Sequence, residues 1–169
     1  MTAGLIAPAP ADAPELAALM RRCFTETFGH LYRPQDLAAF LRTQSAANWR
    51  RQLDDPAISV RAVSADAALV GFAKIGPIQL PVAPAGPAME LRQLYVLHAH
   101  QGTGLGQRLM AWVIDEARRR GARELFLSVF VENARARRFY QRFGFERVGT
   151  YAFMVGDHAD QDDLMRLAL

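Results

Sequence analysis

The segment from Met89 to Phe130 restricts the fold more than any other part of the chain. Met89–Leu97 is an apolar strand that runs into Gln101-Gly102-Thr103-Gly104-Leu105-Gly106. From Gly104 to Arg120, Leu105, Leu109, Trp112, Val113 and Ala117 recur at helical spacing, and Gly121 supplies the C-terminal stop. Glu124–Phe130 is the next strand. Strand, helix and strand in succession form a βαβ unit, with parallel strands and a right-handed crossover. The fold class is therefore α/β.

The flanks add elements of both kinds. Asp12, Pro14 and Glu15 open a helix over about 13–25, with Leu16, Leu19, Met20, Cys23 and Phe24 on its apolar face. A second helical region starts near Pro34, breaks at Ser45 and stops at Asp54-Asp55-Pro56. Ile58–Ser64 and Leu69–Ile75, separated by Ala65-Asp66-Ala67-Ala68, read as an antiparallel hairpin. Residues 76–87 hold four prolines and two glycines and form a loop. A shorter helix over 133–142 ends at Gly144. Phe145–Val155 and Leu164–Leu169 are the last strands, joined by the turn-rich Gly156-Asp157-His158-Ala159-Asp160. With no repeat or composition break, residues 1–169 read as one domain.

Composition removes several functional classes. About half of the residues are apolar, yet no run is long enough to span a bilayer, and the N-terminal MTAGLIAPAP has no export signature. A cytoplasmic, membrane-independent protein is expected. Cys23 is the single cysteine, so no internal disulfide or cysteine-rich metal site can form. Of the 20 basic residues only Lys74 is a lysine, leaving 19 arginines, and the net charge is +3. That balance suits a small anionic ligand rather than a nucleic acid. His30, His98, His100 and His158 lack metal-ligand spacing, and no metal is expected.

Three glycines between a strand and a helix point to a phosphate held on bare amides at a helix start. A Rossmann fingerprint needs a different glycine spacing at the first turn of a longer alternating sheet, and a Walker loop needs a following Lys-Ser or Lys-Thr; neither pattern is present. The pattern Gln101-x-x-Gly104-x-Gly106 resembles the acyl-CoA signature of the GNAT superfamily of N-acetyltransferases. A second motif supports the likeness: Asn133-Ala134, then Phe139-Tyr140 and Gly144-Phe145, similar to that family's other coenzyme-contacting helix. Phe24–His30, Pro34–Leu37, Glu90–Val96, Phe153–Asp157 and Gln161–Met165 resemble one branch, the PaiA-type spermidine and spermine N-acetyltransferases.

The resemblance implies a GNAT fold: a mixed, mostly antiparallel, splayed sheet of six or seven strands with helices on both faces. It implies acetyl-CoA as cosubstrate, a small-molecule amine as acceptor and direct attack without a covalent enzyme intermediate. A homodimer is compatible with it. The backbone of Leu94, Tyr95 and Val96 would receive the pantetheine arm. Gln101, Gly102, Thr103, Gly104, Leu105, Gly106 and Gln107 would hold the pyrophosphate, Asn133 the pantetheine amide, and Arg142, rather than Arg108 or Arg138, a phosphate. Tyr140 occupies the family's general-acid position, and Glu90 that of a base able to act through a water.

Period-2 alternation sets Glu90, Arg92, Leu94 and Val96 on one face of their strand and Met89, Leu91, Gln93 and Tyr95 on the other. Glu90 can equally be read as an ion-pair partner of Arg92. A polyamine is the leading acceptor; a peptide N-terminus, a protein lysine, an aminoglycoside, or a coenzyme-binding sensor without turnover are the alternatives. Arg92 stands where a carboxylate is expected for a polycation. Glu26, Asp36, Asp157, Asp160, Asp162 and Asp163 remain to attract one, the last four read chiefly as turn and edge-strand residues.

Overall fold

The computed structural model describes residues 3–169. A seven-stranded sheet has the order β1-β2-β3-β4-β5-β7-β6. Its strands are β1 Gly4–Ile6, β2 Ser59–Ala65, β3 Ala68–Gly76, β4 Ala88–Val96, β5 Glu124–Phe130, β6 Glu146–Val155 and β7 His158–Ala168. The helices are α1 Ala13–Phe28, α2 Pro34–Thr43, α3 Ala46–Asp54, α4 Leu105–Arg119 and α5 Ala134–Arg142. Only β4 and β5 run parallel. This is the α/β splayed sheet that the sequence implies.

Local chemistry explains the boundaries. Pro34 opens α2, and the Ser45 hydroxyl accepts the Asn48 amide at 3.1 Å to start α3, so the expected break separates two helices. Asp66 and Ala67 both have positive φ, giving the two-residue turn that matches strand twist, here without a glycine. Strand β1 was not expected, because three residues carry no periodic signal.

A larger correction concerns β7. It begins at His158 rather than Leu164, so Asp160, Asp162 and Asp163, read as turn and edge-strand residues, lie inside it, while Asp157 stays in the turn before it. β7 is flanked by β5 and β6, so Asp160, Asp162 and Asp163 are interior residues, each about 5% exposed. Three carboxylates tolerate this because most of their charge is answered. Asp163 receives Arg137 at 3.0 Å and Arg147 at 2.8 Å. Asp160 accepts the Tyr32 hydroxyl and lies 3.2 Å from the His158 imidazole.

The strand register fixes what each face carries, since directly paired residues project to the same side. Phe72 packs edge-on against Trp49 of α3, Phe130 against Phe28 of α1, and Phe153 against Phe40 of α2. On the other side, Arg61 lies over Trp112 of α4, and the Phe139 ring of α5 rests beside Gly106 of α4. Helices α1, α2 and α3 thus cover one face, and α4 and α5 the other.

Candidate active site

The site is a failure of strand pairing. β4 and β5 pair only at Ala88 with Glu124, Met89 with Leu125 and Glu90 with Phe126. Beyond Glu90 the two strands part, and a cavity of about 380 Å³ opens between Leu91–Val96 and Leu127–Phe130. A sheet edge exposed in the interior leaves backbone donors and acceptors for an extended ligand to use.

The ladder on the other side of β4 identifies those groups. The Leu97 amide donates to the Val70 carbonyl at 2.9 Å, and Val96 stands opposite Gly71. In an antiparallel ladder, alternate residues bond toward one neighbour and away from it. Tyr95 therefore bonds toward Phe72 of β3, while the backbone of Leu94 and Val96 faces the gap. The Val96 carbonyl already accepts from Gln101 Nε2 at 3.0 Å. Of the three strand residues expected to receive pantetheine, Tyr95 thus contributes its side chain to the cavity wall rather than its backbone.

A bulge corrects the alternation read from the sequence. Lys74 pairs with Gln93, but the next residue, Ile75, pairs with Leu91, so Arg92 is the extra residue. Glu90 lies opposite Gly76, which shares a face with Lys74 and Phe72; Gln93 and Tyr95 lie opposite that pair. Glu90, Gln93 and Tyr95 therefore face α1–α3. Arg92 folds over Gly76, where a Cβ would sit only 3.0 Å from its Cζ, and it donates to the Pro77 carbonyl at 2.8 Å. Leu94 and Val96 face α4 and α5.

The glycine loop forms one end of the cavity. Gly102 and Gly104 both adopt left-handed φ, at 78° and 87°. That conformation is costly for a residue with a Cβ, and it turns the chain sharply into α4. Gly104 is the N-cap of α4 and offers no side-chain cap, so the first-turn amides keep their donor capacity. Gly102, Gly106 and Gln107 line the cavity beside Arg135 and Arg142. These amides and guanidinium groups suit a pyrophosphate.

The remaining loop residues take supporting places. Gln101 also lines the cavity, but its amide is a strut: one end holds the Val96 carbonyl, and the other accepts from Arg135. Thr103 bonds the His100 carbonyl at 2.6 Å, and Leu105 is buried in the core. Neither Thr103 nor Leu105, nor the Gly104 residue between them, lines the cavity. Arg135 was missed in the sequence; its signal was its place two residues after Asn133, at the start of α5. Arg108 instead reaches the Ala3 carbonyl at 2.8 Å.

Asn133 is the N-cap of α5, accepting the Ala136 amide at 3.1 Å, which leaves its Nδ2 to donate into the cavity it lines. Tyr140, one and a half turns along α5, is 9% exposed and packs on Phe139 and Phe145. Burial pushes its phenol up from its ordinary value, so the proton is present at any working pH. Tyr95 is likewise pushed up, by burial first and then by the nearby Tyr140.

Glu90 does not line the cavity in the gap. It sits at the vertex where β4 and β5 still pair, and its Oε2 accepts the amides of Gln79 at 2.7 Å and Leu80 at 3.2 Å. It lines an adjoining hollow of about 560 Å³ with Lys74, Gln52 and Arg92. Its structural work is to hold the proline-rich loop, and these two amides stand in place of the ion pair with Arg92 or another arginine that is the alternative to a base. Lys74, the single lysine, is buried there; burial, then Arg92, lowers its amine to about 7.

The carboxylates that do reach the cavity are Asp160 and Asp162, together with Tyr32, Phe24, Phe28 and Phe40. They lie on the α1–α3 face, because Asp162 pairs with Phe130 and Asp160 with Phe153. Tyr140 comes from the opposite face. The gap thus joins an acidic, aromatic chamber to an amide-rich, basic one.

Comparison with known proteins assigns this arrangement. The model of the acetyltransferase (GNAT) family matches residues 14–145. The chain belongs to the GNAT family. It is 33% identical over 155 residues to an uncharacterized N-acetyltransferase of Mycobacterium tuberculosis, covering 91% of this chain and 96% of that protein. It is 28% identical over 160 residues to an uncharacterized N-acetyltransferase of Lactobacillus delbrueckii subsp. lactis, covering 94% and 92%. The crystal structure of PaiA N-acetyltransferase from Thermoplasma acidophilum in complex with coenzyme A superposes with a TM-score of 0.83 at 20% identity, covering 100% of both chains. This GNAT chain is an acetyl-CoA-dependent N-acetyltransferase. Among the described residues no helix is long and apolar enough to cross a membrane.

Proposed function

We propose that this GNAT enzyme acetylates a small primary amine that enters as a cation from the α1–α3 face, with a polyamine as the leading acceptor. The observation carrying this reading is the buried pair Asp160 and Asp162, lining the gap opposite Tyr140. Carboxylates enclosed by Phe24, Phe28, Phe40 and Tyr32 suit an alkylammonium, with charge for its head and apolar rings for its chain. The resemblance of Phe24–His30, Pro34–Leu37, Glu90–Val96, Phe153–Asp157 and Gln161–Met165 to PaiA-type sequences supports a polyamine. Arg92 and Lys74 in the adjoining hollow oppose a second cation there, so the acceptor presents one terminal amine and directs the rest of its chain away from Arg92.

The cradle of first-turn amides with Arg135 and Arg142 holds the coenzyme phosphates, and the Leu94 and Val96 edge takes the pantetheine arm. A thioester placed there brings its carbonyl oxygen near a gap-facing β4 amide. That donor stabilises the oxyanion more as negative charge develops. Tyr140 gives its proton to the departing thiolate. Attack is direct: Cys23 lies buried on α1 with its thiol pushed up to about 12, chiefly by burial, so no thiolate is available to carry the acyl group.

The test is coenzyme A release from acetyl-CoA with spermidine, spermine, an aminoglycoside and lysine-bearing peptides, corrected for amine-free hydrolysis. Saturable release with polyamines is the expected result. Faster turnover of another amine replaces the acceptor and keeps the transferase. Tight acetyl-CoA binding with no release across the panel favours a sensor.

A further inference from the structure

An alkylammonium must lose a proton before it can attack, and the carboxylate first expected to take it is engaged elsewhere. Glu90 lines the adjoining hollow with Oε2 on two loop amides. Three interior carboxylates lie along β7, and they differ in their partners. Asp163 faces α5 and is neutralised by Arg137 and Arg147. Asp160 is held by the Tyr32 hydroxyl and His158. Asp162 has no cationic partner among the described residues, is 5% exposed, and lines the gap where β4 and β5 part.

Building on the acetyltransferase reading, we propose that Asp162 is the general base that deprotonates the acceptor amine. The cavity of Asp162 also holds Arg92 from β4 and Arg135 and Arg142 from α5, none of them in an ion pair with it. Ser128 on β5, diagonal to it across the sheet, lines the same cavity and is the hydroxyl nearest its carboxylate, which it lowers. Asp160 and Asp163 flank it on β7, and Tyr151 stands opposite on β6. Tyr32, Tyr95 and Tyr140 share its cavity, and burial keeps all three phenols protonated. Burial is the main influence on Asp162, followed by the Ser128 hydroxyl, which lowers it, and by Asp160 and Asp163, which raise it. Together they bring it to about 6. At neutral pH it is therefore ionised, yet a stronger base than a free aspartate.

The protons balance. Asp162 takes one proton from R–NH3+, and the freed lone pair forms the C–N bond to the thioester carbonyl. As the C–S bond breaks, Tyr140 protonates the thiolate. The second amine proton, now acidic on the amide nitrogen, restores the one Tyr140 gave. Asp162 releases the first to solvent. The net products are the amide, coenzyme A thiol and one proton.

The sign of the pH dependence follows. A base raised to about 6 is active above that value and is lost as pH falls through it. The experiment uses the amine of the panel above that turns over fastest, and compares the wild type with Asp162→Asn and Ser128→Ala. For the wild type, kcat/KM should show an acidic limb near 6. Asp162→Asn should lose that limb and roughly 10²-fold in kcat at pH 7, regaining rate at high pH, where free amine supplies itself. Ser128→Ala keeps the carboxylate but removes the neighbouring hydroxyl that lowers it, so its limb should move to higher pH.

Asp162→Asn that keeps the wild-type limb and rate overturns the proposal. So does a variant that only raises the amine KM, the signature of a cation site without proton transfer. If Asp162→Asn does not fold, an unmoved limb in Ser128→Ala overturns it instead. Absence of turnover by the wild type with every amine refutes the acetyltransferase reading itself, and the base with it.

Discussion

The two chambers joined by the gap are built on different principles. The α4–α5 side presents main chain: left-handed Gly102 and Gly104, the uncapped start of α4, and the gap-facing edge of β4. The α1–α3 side uses side chains from distant segments: Phe24 and Phe28 from α1, Tyr32 after it, Phe40 from α2, and Asp160 and Asp162 from β7. Backbone recognition suits a ligand shared by a whole family, since it depends on conformation and a few glycines. A side-chain chamber can be changed one residue at a time, so it is the part that can be fitted to a particular acceptor.

The comparison can be broken most severely at the point where the chambers meet. Tyr140→Phe should bind acetyl-CoA nearly as the wild type does in calorimetry, yet lose about 10²-fold or more in kcat. An unchanged rate would remove Tyr140 from the chemistry. Next comes the main-chain chamber. Gly104→Val places a β-branched residue at a φ of 87°, at a cost of about 1–2 kcal/mol in strain. If the loop and α4 start hold phosphate, the lost charge-assisted bonds should weaken coenzyme A by at least about tenfold, a loss of about 1.4 kcal/mol or more. Equal affinity with an intact fold would sink that cradle.

The smallest effect sharpens the division. Glu90→Gln should leave kcat in place and lower thermal stability, because the two amides of the 77–80 segment lose an ionised acceptor; hydrogen bonds to charged groups contribute about 1.5–3 kcal/mol each. A large fall in kcat with an unchanged melting temperature would return the proton-accepting role to Glu90.

The same division governs what was legible in the sequence. The βαβ unit, the glycine loop and the Asn133–Phe145 helix are local patterns, and their spacing placed β4, α4, β5 and α5 almost to the residue. The acceptor chamber was obscured for physical reasons. Asp160, Asp162 and Asp163 have the composition of a turn, and only partners more than a hundred residues away, such as Tyr32 for Asp160, or from α5 and β6, such as Arg137 and Arg147 for Asp163, make them interior strand residues. The bulge at Arg92 carries no glycine or proline to announce it, yet it separates Leu94 and Val96 from the face that holds Glu90. One inserted residue was enough to exchange the faces of the catalytic strand.

The brevity of the pairing between β4 and β5 also bears on how the molecule comes apart. On one side of the seam, β1 to β4 join in sequence order, and on the other, β5, β7 and β6 form a block from the last third of the chain. Across the seam the sheet offers three residue pairs, with Glu124 adding a stitch by accepting the amides of Ala85 and Gly86. Each half draws its ladder from neighbouring segments, so each is a natural cooperative unit for local opening. A ligand bridging the strands along the gap would close that seam, coupling two units whose strand ladders meet only at one end.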